Sequence, residues 1–134
     1  MKILVIFLLI LAAHFNATPF APAPAGAAKF YWPFAADSKS WLAAIGGLPA
    51  SGGIVTSLLA GVAALGFIAA LLALFGWLVP ANWFTPAILT ASIASVLLYV
   101  LYFGALSLLP LALDAILLAG VYTWHWSVAG LKGM

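Results

Sequence analysis

The stretch 54–79, IVTSLLAGVAALGFIAALLALFGWLV, runs for about 26 residues without a charge or a proline before Pro80 closes it. At 1.5 Å per residue a helix of that length reaches ~39 Å, more than the ~30 Å hydrocarbon core of a bilayer. Such a run reads as a membrane span that tilts or protrudes. Two more apolar runs follow it, at 86–106 and 110–128. Pro86 and Pro110 each open one, where a first-turn proline costs no hydrogen bond. The links Pro80–Thr85 and Ser107–Leu109 are short, which makes neighbouring spans antiparallel.

Toward the amino terminus, Lys2 followed by Ile3 to Ala13 has the charged start and apolar centre of a secretory signal. Ala23-Pro24-Ala25 offers small residues at a cleavage point, but about a dozen residues beyond the apolar centre, farther than the usual gap. The segment 3–18 is therefore expected to stay as a slightly short first helix. The fold class is all-α: a polytopic transmembrane bundle of four spans, or three if the first segment is a cleaved signal, forming one membrane domain over 1–134.

The segment 19–53 is the one long stretch outside the spans. Pro19, Pro22 and Pro24 end the first helix and favour extended chain. After Phe30, Tyr31, Trp32 and Phe34, Asp37-Ser38 can cap a short helix over about 38–46, stopped by Gly46, Gly47 and Pro49. Trp41, Leu42 and Ile45 share one face, as in an interfacial helix lying on the membrane; the alternative is a loop whose aromatics pack on the bundle.

Composition agrees with the spans. Of 134 residues, 68% are hydrophobic and the mean hydropathy is +1.30, more apolar surface than one soluble core can hide. The charged residues are Lys2, Lys29, Lys39, Lys132, Asp37 and Asp114. A net charge of +2 without a basic cluster speaks against a nucleic-acid partner. The absence of cysteine excludes disulfides, thiolate metal sites and thiol nucleophiles. With four spans, Lys2 and Lys132 face one side and Lys29 and Lys39 the other, so the positive-inside rule does not decide sidedness. The signal-like start favours cytoplasmic termini in a bacterial plasma (inner) membrane.

Asp114 is the one acid within a span, a position that defaults to function. It lies in the second turn after Pro110, near the positive end of the helix dipole, and Tyr102 is as far before the Leu108 turn as Asp114 is after it. A structural Tyr102–Asp114 hydrogen bond is expected, with proton or ion handling as the alternative. Ser92, Ser95, Tyr99 and Tyr102 form a polar stripe that serves either as interhelical glue or as the lining of a passage. Ala87, Ala91 and Ser95 on one span, and Ser57 with Gly61 and Ala60 with Ala64 on another, allow close helix packing.

His14 and His125 are the two imidazoles, each a candidate ligand for a pigment or a haem. The four-span topology puts them most of a bilayer apart, and Tyr122, Trp124 and Trp126 around His125 read as an interfacial aromatic belt. No phosphate loop, carboxylate pair or Ser-His-Asp order is present, so no enzyme is expected and no cofactor is required. Three functions remain. The leading one is a non-catalytic subunit packing against larger membrane partners, stabilising or sealing a complex such as a respiratory or photosynthetic one. A small oligomeric transporter or channel using Asp114 comes second, and a pigment-, haem- or quinone-binding subunit third.

Overall fold

The computed structural model describes residues 1–17, 39–40, 54–103 and 108–133, with the backbone alone at 39–40, 54–56 and 102–103. Almost every described element is helical: α1 (Lys2–Ala17), α2 (Ile54–Phe75), a 3-10 turn (Ala81–Trp83), α3 (Phe84–Leu101), α4 (Leu108–Tyr122) and the short α5 (Val128–Lys132). The exception is a two-residue antiparallel pairing of β1 (Lys39–Ser40) with β2 (Tyr102–Phe103), Ser40 facing Tyr102. Lys39 and Ser40 are thus extended, and the short helix expected from about residue 38 does not begin there; positions 41–46 lie outside the described residues.

The helices form an antiparallel bundle in which α1 packs on α2, α2 on α3, α3 on α4, and α4 closes back on α1. The buried faces follow helical spacing, for example Val5, Leu8, Leu9, Ala12, Phe15 and Asn16 on α1. The inner face of α2 is mostly alanine, Ala60, Ala63, Ala64, Ala70 and Ala73 around Phe67, which brings backbones close. Gly66 marks a close approach of α2 to α3. A Cβ there would stand 2.7 Å from the Ala91 Cβ and 3.2 Å from the Ala87 carbonyl oxygen. The outer faces are apolar as well, with Ile3 82%, Leu65 68%, Ile93 58% and Leu109 52% exposed.

Two segments are long and apolar enough to cross a membrane, Ser57–Phe75 and Ala81–Leu101. The helices α1 and α4 have 16 and 15 residues and reach only ~24 Å and ~22 Å.

The helices α2, α3 and α4 are each shorter than their apolar runs, and the terminators are local. α2 stops at Gly76, before Pro80. The Gly76 amide bonds to the Ala73 carbonyl at 3.1 Å and the Trp77 amide to the Leu72 carbonyl at 2.9 Å, a Schellman cap. Gly76 itself takes φ 73°, the left-handed region that glycine enters freely. α3 starts at Phe84 and has Pro86 in its first turn, as its sequence suggests, but ends at Leu101 because Tyr102–Phe103 leave for the extended pairing. α4 ends at Tyr122, short of Val128. Trp126 then folds back, donating its amide to the Gly120 carbonyl at 2.9 Å. The reversal uses a left-handed backbone at His125, φ 51°.

Candidate functional site

The antiparallel order gives the bundle two distinct ends. One end collects Met1, the turn 76–83 and the segment 122–133. The other collects the end of α1, the start of α2, the end of α3 and the start of α4. Ser95 lies six residues before the end of α3 and Asp114 six after the start of α4, so each sits ~9 Å inside the second end. Asn16 is in the last turn of α1. These three side chains meet there, with Tyr99 and Ser92 one turn to either side of Ser95, and all five are buried.

The hydrogen bonds are specific. Asn16 Nδ2 donates to the Ala12 carbonyl at 2.9 Å and to Ser95 Oγ at 3.1 Å. Both amide protons are thereby committed, which fixes the orientation of the carboxamide and leaves Oδ1 pointing elsewhere. The Tyr99 hydroxyl donates to the Phe15 carbonyl at 2.7 Å, tying α3 to the last turn of α1 a second time. Ser95 also lies beside Asp114. Neither Asp114 oxygen, however, meets hydrogen-bond geometry with any group, so the contact is one of proximity. Asn16 Oδ1 and Ser92 Oγ are likewise without a partner. Four buried oxygens, on α1, α3 and α4, are therefore unsatisfied, a departure from the rule that buried polar atoms are paired.

Ser92, Ser95 and Tyr99 do form one inward stripe. α3 ends at Leu101, and Ser95 is the described α3 residue beside Asp114. The Tyr102 side chain, and with it the expected pairing with Asp114, lies outside the described residues.

Of the small residues, Ala60, Ala64, Ala87, Ala91 and Ser95 are buried between helices. Ser57 is exposed and Gly61 half-buried, so that pair faces outward. Gly66 carries the α2–α3 contact instead.

His14 and His125 stand at opposite ends, and both side chains are exposed. His14 stacks obliquely on Phe15, ring centres 6.0 Å apart. Among the described residues no three His, Cys, Asp or Glu side chains are grouped to hold a metal. The supposed aromatic belt divides: Tyr122 and Trp124 are exposed, whereas Trp126 is buried, its ring lying where a Gly120 Cβ would be.

Asn16, Gly66 and the Gly120–Trp126 pair are the features that sequence patterning passes over. An asparagine at the end of an apolar helix looks interfacial, and a lone glycine looks like a helix end. The available signal for Asn16 was its spacing four residues after Ala12 and eight after Leu8, on the inward stripe. No family model, curated protein or solved structure matches the chain.

Proposed function

We propose that the chain is an integral membrane subunit whose four helices all lie in the bilayer, and that it acts by packing against larger membrane partners rather than by catalysis. The observation that carries this reading is the outward face of the bundle, where every one of the four helices presents large apolar side chains. Such surface is stable against acyl chains or other helices and is unfavourable against water. The shorter α1 and α4 fit a bilayer thinned locally around them, with Lys2 snorkelling to the interface.

A groove of about 300 Å³ between α2 and α3, lined by Leu65, Gly66, Ala69, Trp83, Ala87 and Thr90, gives a neighbouring helix a small-residue floor to approach. The test is extraction in mild detergent followed by native mass measurement, comparing the unaltered chain with Ala69→Trp, which fills the groove. A fixed-ratio complex lost in the variant, with the bundle itself still folded, supports the role. A chain that is monomeric in mild detergent and drives solute flux when reconstituted alone refutes it.

The second reading, a small oligomeric transporter or channel, is favoured by one observation, the unpartnered carboxyl of Asp114 inside the bundle. Flux in vesicles that disappears with Asp114→Asn would select it.

A further inference from the structure

We propose that the junction of α1, α3 and α4 is a binding site for one monovalent cation of the sodium type, ligated by the Asp114 carboxylate, Asn16 Oδ1 and Ser92 Oγ. These are the oxygens left without partners, on side chains that are each at most 1% exposed. Asn16 cannot relieve its own oxygen by flipping, because its nitrogen is held by the Ala12 carbonyl and Ser95 Oγ.

The donor set selects the ion. Carboxylate, amide and hydroxyl oxygens suit hard cations, and no sulfur or imidazole stands among them. A single formal negative charge is balanced by one positive charge. A divalent ion would keep an uncompensated charge in a low-dielectric interior, and calcium sites usually supply several carboxylates. The described ammonium groups, Lys2, Lys132 and the amino terminus, belong to the opposite end of the bundle, and His14 faces outward. Ser95 is a positioning residue: its hydroxyl accepts from Asn16 Nδ2 at 3.1 Å and so orients that ligand, and it stands beside Asp114.

The occupied site joins three helices, and this goes beyond a packing role, since it makes the rigidity of the subunit depend on an ion. The test is thermal unfolding of the full chain in detergent at neutral pH, titrating sodium chloride against choline chloride at constant ionic strength. A saturable rise of the unfolding midpoint with sodium is expected, absent in Asp114→Asn. In Ser92→Ala, which alters packing little, the sodium concentration for half effect should rise by about tenfold, the order that metal-site substitutions produce.

Infrared spectra supply a readout that needs no folded variant. The carboxyl of Asp114 should absorb as a carboxylate in sodium and as a protonated acid in choline. Equal midpoints in the two salts overturn the proposal, as does a protonated-acid band that persists at saturating sodium, because the carboxyl is then neutralised by a proton.

Discussion

The two ends of the bundle are closed by different physics. At the end holding Met1, closure is by backbone and ring packing: the Schellman cap at Gly76, the left-handed turn at His125 and the Trp126 ring seated on Gly120. Lys132 completes it, its Nζ lying 3.5 Å from where a Gly76 Cβ would stand, beside the carbonyl end of α2 where a cation is favourable. At the other end closure is by side-chain hydrogen bonds from Asn16 and Tyr99 across α1 and α3, with oxygens left over. In the bilayer setting proposed above, helix association would draw little on hydrophobic burial, leaving close packing and interhelical hydrogen bonds, and each end uses mainly one of them. Close packing is intolerant of added volume. A polar junction should instead lose stability in small steps.

The largest effect should therefore fall at the packed end. Gly120→Val places side-chain carbons inside the Trp126 ring, and neither the ring nor the helix backbone can yield without releasing the Trp126 amide from the Gly120 carbonyl. Overpacking of this kind costs about 3 kcal/mol, measurable by unfolding in mixed detergent micelles. Restoring space with Gly120→Val plus Trp126→Leu should recover part of that loss. A Gly120→Val chain as stable as the original would remove the distinction between the ends.

A smaller loss is expected from Asn16→Ala, which takes away the Ser95 bond and a half-satisfied amide together. Interhelical hydrogen bonds in membranes are worth about 1 kcal/mol, and the coupling between Asn16→Ala and Ser95→Ala in a double-mutant cycle should be about 0.6 kcal/mol. Coupling near zero would mean that the 3.1 Å contact contributes no more than its lipid-exposed alternative. Tyr99→Phe sharpens the comparison further. It removes one hydroxyl from a ring that stays buried, and the released Phe15 carbonyl lies in the last turn of α1, where carbonyls lack intrahelical partners. The expected loss is ~1 kcal/mol or less, with faster hydrogen exchange confined to the end of α1.

The sequence made the helical class, the antiparallel order and the two helices long and apolar enough to cross a membrane readable, because run length, apolarity and short links determine them. Boundaries were less readable, since those of α2, α3 and α4 were decided by local backbone features that composition does not announce. Pro80 looks like the stop of α2, but Gly76 enters the left-handed region four residues earlier and the helix ends there. Counting from a tight Ser107–Leu109 link makes Tyr102 the neighbour of Asp114; the Tyr102 side chain lies outside the described residues, and among those described Ser95 stands beside Asp114. The polar stripe was legible from its spacing. Its partner on α1 was not, because one asparagine carries no period, and only the diagonal approach of α1 to α3 reveals it.

The smallest effect should come from Ser127, which joins the packed end to the carboxyl-terminal turn. Its Oγ accepts from the Gly130 amide at 3.1 Å and its carbonyl from the Leu131 amide at 2.9 Å, capping α5. Replacing a serine cap by alanine usually costs ~1 kcal/mol, but α5 is five residues long and exposes its Gly130 and Lys132 side. The loss should appear as fraying of one turn, seen as faster exchange of the Gly130 and Leu131 amides with little change in the global midpoint. Val128 and Leu131 are nevertheless buried, so α5 has a stake in the bundle. If Ser127→Ala lowered the global midpoint as far as Gly120→Val does, α5 would be part of the cooperative core. The packed end would then extend through the last helix to Lys132, and the Gly120–Trp126 contact would be only one of its fastenings.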